Sequence, residues 1–300
     1  MNDYLPYPKF RSIRNRRNRY PDAITDFNYI CILQDKFVFS QLLLSLGVPT
    51  PKVLAFCKPD KIFWLDDMKP RPIQALCESD RRFDGFCKPL MGTNGRGAFP
   101  LRVTEGQVYI GSNKATAGEI RGRINGLYLI QERISQHSAM SALHPQSLNT
   151  MRVVTFNTGD RVSVFSAAQR VGTNGRQVDN WSAGGILIGV ELKTGRLRAD
   201  GFYKPGYGSK VQEHPQTGVR FLGFEIPYFR EALELVLQVH EYFYGVHSIG
   251  WDIAISERGP VIIEANDDWD GAVAMALERN FRKRFFEMFL STTNPIFGPD

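Results

Sequence analysis

The stretch GWDIAISERGPVIIEAND, residues 250–267, decides how this chain is read. Two apolar runs, 249–256 and 260–265, flank the turn at Arg258 and Gly259, which is the pattern of an antiparallel strand pair. Residues two apart on a strand share a face, so Glu264 and Asn266 point the same way. Asp252, near the far end of the partner strand, is expected on that face as well. The neighbours Ile253, Ile255, Val261, Ile262 and Ile263 are strongly apolar. A solvated polar stripe is therefore a poor account of these acids, because a buried carboxylate is costly without a partner. Two carboxylates and an amide oxygen are hard ligands, suited to Mg²⁺ with phosphate oxygens completing its shell. Asp252, Glu264 and Asn266 are the candidate metal ligands.

Working outward, the run CKPLMGTNGRG at 87–97 places Lys88 at the end of a strand and a glycine-rich turn after it. Glycines let backbone N–H groups approach an anion, and the lysine ammonium adds a point charge. Lys88 with Gly92, Asn94, Gly95 and Gly97 reads as a polyphosphate cradle or, more plainly, as a hairpin loop. It is neither a P-loop nor a dinucleotide fingerprint, whose spacings differ. A third polar group contains Asn149, Arg152, Arg170, Asp179 and Asn180. The two arginines lie in or at the ends of predicted strands and suit forked contacts with phosphate or carboxylate oxygens. Structural salt bridges are the alternative.

The remaining pattern is α+β with several antiparallel pairs rather than a regular βαβ alternation. Helices are predicted over 35–46, 73–77, 227–244 and 271–290. Strands are predicted over 53–56, 62–64, 85–88, 98–103, 107–110, 127–131, 150–156, 161–169, 185–191 and 197–202. Of the net charge of +6, residues 1–20 supply +5, from Lys9, Arg11, Arg14, Arg16, Arg17 and Arg19 against Asp3. This basic arm reads as a solvated or partner-facing segment, or as a binder of phosphate, nucleic acid or an anionic membrane. Pro6, Pro8 and Pro21 flank the arginine run and are expected to interrupt a helix there. The near-neutral remainder argues against a nucleic-acid binder. Cys31, Cys57, Cys77 and Cys87 form no C-x-x-C pair, no secretory h-region is visible, and no apolar run of about 18 residues exists. A reduced, cytoplasmic protein is expected. The histidines His137, His144, His214, His240 and His247 lack metal-like spacing and are expected to be structural or on the surface.

The ordered set GFCKPLMGTNGRGAF, LIQERISQH, SLNTMRVVTF, VDNWSAGGI and GWDIAISERGPVIIEAND resembles the ATP-grasp superfamily, in particular its sugar-transfer-associated branch. The resemblance implies an ATP-grasp fold of two α+β subdomains clasping ATP, with a reduced N-terminal region. It implies a basic arm and small subdomain over 1–80, a lid subdomain over about 81–130 and a C-terminal subdomain over about 131–300. By the same resemblance Lys36 and Lys88 contact the nucleotide phosphates, and Gly92–Gly97 closes over them. The backbone of Gln131, Glu132, Arg133 and Ile134 reads adenine, while His137 or Ser138 stands where an acid usually holds the ribose. Arg170 resembles the basic residue near the transferred phosphate, and the run Asn149–Arg152, with Arg152 as its catalytic candidate, together with Asp179 and Asn180 serves the acceptor or acyl phosphate. The implied cofactors are ATP and Mg²⁺. The implied activity is an ADP-forming carboxylate–amine ligase working through an acyl phosphate on a sugar- or polysaccharide-linked carboxylate and an amine. A kinase acting on a hydroxyl, or a non-catalytic nucleotide- or sugar-binding module, are the alternatives.

Overall fold

Antiparallel ladders build both sheets of the computed structural model, which describes residues 5–19, 30–78, 80–92, 95–243, 245–271 and 280–290. In chain order the helices are α1 (Tyr7–Arg19), α2 (Ile30–Gln34), α3 (Lys36–Ser45), α4 (Ala117–Arg123), α5 (Ser138–Leu143), α6 (Phe229–Glu241) and α7 (Phe281–Leu290). The first strands are β1 (Val53–Cys57), β2 (Lys61–Trp64), β3 (Pro70–Pro72), β4 (Phe83–Pro89), β5 (Phe99–Thr104), β6 (Gln107–Ile110), β7 (Asn113–Ala115) and β8 (Tyr128–Glu132). They are followed by β9 (Met151–Asn157), β10 (Val162–Val171), β11 (Ile186–Val190), β12 (Leu197–Tyr203), β13 (Ser248–Ser256) and β14 (Gly259–Asn266). Two compact units result, Asp35–Ile134 and Met1–Gln34 with Ser135–Asp300. The architecture is the expected α+β, one sheet to each unit.

In the unit Asp35–Ile134 the sheet order is β3-β2-β1-β8-β4-β5-β6-β7. One face carries Ala55, Cys57, Cys87, Leu101, Val103, Tyr128 and Ile130, and Ile120 of α4 packs into the same core. Helix α3 starts at Asp35, whose carboxylate accepts from the Phe37 and Val38 N–H groups at 2.9 and 3.0 Å. Helix α4 starts at a capping box between Thr116 and Glu119. A division near residue 80 is not what the structure draws. Strand β8 pairs with β1 on one side and with β4 on the other, so 35–80 and 81–134 share one sheet.

In the other unit the order is β12-β11-β10-β9-β13-β14. Helix α6 carries the buried stripe Ala232, Val236, Val239 and His240 and packs on this sheet. An aromatic cluster holds Phe10 of α1, Phe281 and Phe285 of α7, Val154, Phe156, Phe165 and Trp269. Pro6 and Pro8 do not break α1, and Pro21 lies outside the described residues. Pro8 sits in its first turn, where a missing N–H leaves no bond unmade. The arm is therefore a packed helix: Arg14, 1% exposed, donates to the Trp269 carbonyl and pairs with Asp268, its guanidinium 5.3 Å from the Phe10 ring centre. Of the predicted helix 271–290, α7 is the described part, and 272–279 lie outside the described residues. All four cysteines are free thiols. Among the described residues no helix is long and apolar enough to cross a membrane.

His240 is buried between Thr155, whose hydroxyl lies 2.7 Å from its Nδ1, and the Val246 carbonyl, 2.8 Å from its Nε2. Burial pushes its pKa down to about 4, against a smaller upward pull from the Val246 carbonyl. The native state thus keeps His240 neutral where the unfolded chain, titrating near 6.5, takes up a proton. Stability must fall as pH drops below about 6.5 and level off, for this group, below about 4. Urea denaturation is expected to show a loss of about 2 kcal/mol from His240 between about pH 7.5 and 5, and His240→Gln should flatten that slope.

Candidate active site

The register of the six-stranded sheet assembles one charged face. Arg152 on β9 lies opposite Asp252 on β13, Asp252 opposite Glu264 on β14, and Arg152 opposite Ala168 on β10. Directly opposed residues share a face, as do residues two apart, so Arg170 and Asn266 join the set. Arg152 forks onto Asp252, Nε to Oδ1 at 2.5 Å and Nη2 to Oδ2 at 3.1 Å. Arg170 Nη2 reaches Asp252 Oδ2 at 2.8 Å. Asp252 is 1% exposed. Its burial works to raise the carboxyl pKa, but the charges of Arg152 and Arg170 outweigh it and hold the group well below the usual carboxylate range. Burial likewise opposes the Arg170 charge, and Asp252, Asp179 and Glu264 raise it on balance.

Thr150 locks this arrangement from the edge. Its hydroxyl accepts from Arg170 Nε and Nη2 at 3.0 and 2.6 Å and donates to Asp179 Oδ2 at 2.6 Å. The Thr150 N–H donates to the same oxygen at 2.7 Å. Asp179 is 6% exposed, and burial pushes its carboxyl above the usual range despite the nearby Arg170 and Thr150. Asn149 is 1% exposed and spends both ends of its amide within the fold. Its Nδ2 donates to the Met140 and His144 carbonyls at 2.9 and 2.8 Å, and its Oδ1 accepts from Ser147 and the Gly172 N–H at 2.7 and 3.3 Å. The side-chain amide of Asn149 thus closes its bonds inside the fold, and Asp179 is tied to Thr150. Asn180 begins the turn Trp181–Ala183 with its side chain half-buried.

In the unit Asp35–Ile134, Lys88 sits on β4 opposite Leu129 of β8. Lys36 Nζ donates to the Gly92 carbonyl at 2.7 Å and to Leu90 at 3.4 Å, which joins the first turn of α3 to the glycine-rich turn. Gly97 has φ +76°, and a Cβ there would stand 2.9 Å from the Tyr128 hydroxyl, so the turn needs glycine at this point. Asn94 lies outside the described residues. Gln131 is buried, with Nε2 3.4 Å from the Pro51 carbonyl. The Glu132 and Arg133 N–H groups donate to the Lys52 and Asp84 carbonyls. Those two amides are spent within the sheet; Ile134 is half-buried just beyond it.

Residues 15–288 match the family of sugar-transfer associated ATP-grasp proteins. The chain belongs to this family. Its fold is similar to D-alanyl-alanine synthetase A from Vibrio cholerae, with TM-score 0.48 and 10% identity over 88% of this chain and 66% of that one. It is similar to N5-carboxyaminoimidazole ribonucleotide synthetase from Thermotoga maritima, with TM-score 0.46 and 13% identity over 97% of this chain and 57% of that one. It is also similar to the ATP-grasp ligase PsnB complexed with minimal precursor, Mg and ADP, with TM-score 0.45 and 13% identity over 89% of this chain and 61% of that one. The chain therefore spans less than two thirds of the length of each of these structures. No curated protein matches it.

An ATP-grasp protein implies a magnesium nucleotide, and the donor set of the charged face fits such an ion. Glu264, Asn266 and Asp252 offer hard oxygens on one face, and the Asn266 Nδ2 donates to the Gly250 carbonyl at 3.4 Å, leaving its oxygen as the acceptor end. Arg152, Arg170, Asp179, Asp252 and Glu264 form one charge cluster beside these oxygens. Both oxygens of Asp252 already accept from arginines. Among the described residues no group of three or more His, Cys, Asp or Glu side chains is placed to hold a metal. Any ion here depends on the asparagine and on ligands from outside the chain.

Thr150 lies inside the polar run Asn149–Arg152 that the sequence singles out, whereas Trp269 carries no sequence signal. Trp269 follows Asp267 and Asp268, and its Cβ lies over Gly250, where an added Cβ would be 2.5 Å from Trp269 and 3.4 Å from Arg152 Nη1. Gly250→Ala is expected to cost roughly 1–3 kcal/mol by overpacking, read by urea denaturation. Thr150→Val, which leaves Asp179 and Arg170 with unmet bonds, is expected to cost about 1–3 kcal/mol in the same assay.

Proposed function

We propose that the protein is an ADP-forming carboxylate–amine ligase that uses ATP and Mg²⁺, with a sugar- or polysaccharide-linked carboxylate as one substrate. The observation that carries this reading is the face on which Arg152 and Arg170 flank Asp252 beside Glu264 and Asn266, in a chain of the ATP-grasp family. A carboxylate oxygen of the substrate attacks the γ-phosphorus of ATP, the bond to the bridging oxygen breaks and ADP leaves. The amine nitrogen then attacks the acyl carbon, phosphate departs with the bonding electron pair, and the nitrogen loses a proton to give the amide.

Each residue set has a part in this scheme. Lys36, Lys88 and the turn with Gly92, Asn94, Gly95 and Gly97 bind phosphate oxygens through ammonium and backbone N–H groups. The 131–134 strand end reads the adenine edge. Arg152 and Arg170 face the charge that develops on the transferred phosphoryl group. Asn180 orients the acceptor, while Asn149 and Asp179 hold the arginine-bearing strands. Asp252, Glu264 and Asn266 would hold Mg²⁺, which neutralises phosphate charge when bound.

Phosphate release should be followed with ATP, Mg²⁺ and pooled carboxylates and amines, with mass spectrometry of the mixture. Release that requires both co-substrates, with a product mass equal to their sum less water, is the expected result. Glu264→Ala should lower the rate at least about 100-fold, the scale of a lost electrostatic contact in a transition state. A stable phosphoester with no amide would reassign the protein as a kinase. Absence of ATP binding by calorimetry would overturn the reading altogether.

A further inference from the structure

The two terminal helices carry more positive charge than the whole chain. Helix α1 holds Lys9, Arg11, Arg14, Arg16, Arg17 and Arg19 with no acid, and α7 holds Arg282, Lys283 and Arg284 against Glu287. Their formal sum is +8, while the full chain is +6, so everything else sums to −2. These segments stand at opposite ends of the sequence, and the fold brings them together. The Phe10 ring centre lies 5.9 Å from that of Phe281 and 5.1 Å from that of Phe285. Asp268 takes Arg11 and Arg14, and Asp267 and Asp270 lie close to Arg14. Even with those three acids counted in, the region keeps +5.

The apolar side of the pair is already spent. Leu5, Phe10, Phe281 and Phe285 are buried in the aromatic cluster, whereas Lys9, Arg11, Arg282 and Lys283 are exposed. Among the described residues such a face offers charge, with Tyr7 as its one large exposed apolar side chain. That is the profile of a surface held at a distance by electrostatics, as polybasic segments are held by anionic lipid headgroups. It is not the profile of an amphipathic helix that sinks into the bilayer. Lys9, Arg11, Arg282 and Lys283 lie on the outside of the two packed helices, and among the described residues of those helices Tyr7 is the one large exposed aromatic, a poor platform for the serial base stacking nucleic-acid binders use.

We propose that the α1–α7 face docks the protein on an anionic lipid bilayer without insertion. The inference stands on charge and packing and is independent of the ligase reading. Sedimentation of the full chain with vesicles of phosphatidylcholine, alone or with about one third phosphatidylglycerol, tests it. Binding at least about tenfold stronger to the anionic vesicles, and lost at about 0.5 M salt, is expected from screening. The variant Lys9→Glu with Arg282→Glu and Lys283→Gln, checked for native circular dichroism, should lose most of that binding. Equal partitioning on both vesicle types, no partitioning at low salt, or unchanged binding by the folded variant would each overturn the proposal. Tighter binding to duplex DNA than to the vesicles at the same salt would overturn it in favour of a nucleic-acid surface.

Discussion

Everything on the charged face depends on the Asp252 carboxylate lying between two guanidiniums. Asp252, Arg152 and Arg170 stand on three neighbouring strands, β13, β9 and β10, so the ion pairs cross-link the middle of the sheet. An isolated charge at that depth would cost several kcal/mol, and removal of one partner from a buried pair typically costs about 3–5 kcal/mol. A hydrophobic replacement of the whole set would be as stable or more so. The group is therefore poorly explained by stability alone. Its geometry makes sense as a pre-arranged cationic and anionic surface, fixed before any ligand arrives.

The surroundings hold that surface in place from two sides. Thr150 and Asp179 fix Arg170, and Asn149 ties the start of β9 to α5 and to the end of β10. On the other side Trp269 lies over Gly250, its indole N–H donating to the Ser248 hydroxyl at 3.1 Å, and α1 clamps it through Arg14. The segment that reads as a basic arm is in part a structural brace. One arginine of the run points inward and satisfies the chain leaving β14, while Lys9 and Arg11 remain outside.

The strands were legible because their apolar runs and turn residues are strong local signals. The pair β13–β14 around Gly259, and β9–β10 around 157–160, fall where alternation and turn chemistry place them. The placement of Asp252, Glu264 and Asn266 on one face also follows from strand period and register alone. What could not be read is what depends on partners far away in sequence. Helix α1 looked broken because proline was weighed by its presence and not by its position in the first turn. That the Asn149 amide closes its hydrogen bonds inside the fold is not legible in a polar run. The break near residue 80 was misplaced because β8, about 50 residues further on, is the strand that joins β1 to β4.

Arg170 serves two buried carboxyls, and their environments push them in opposite directions. Asp252 has two guanidiniums within hydrogen-bonding range and is held ionised. Asp179 has Arg170 at 3.6 Å and two bonds from Thr150, and burial raises it. The Arg170 Nη2 reaches both Asp252, at 2.8 Å, and the Thr150 hydroxyl, at 2.6 Å, while its Nε donates to that hydroxyl at 3.0 Å. The Thr150 hydroxyl accepts from Arg170 and donates to Asp179, so Asp179 orients Arg170 through a shared hydroxyl while the guanidinium stays bonded to Asp252 on the face where Glu264 and Asn266 point.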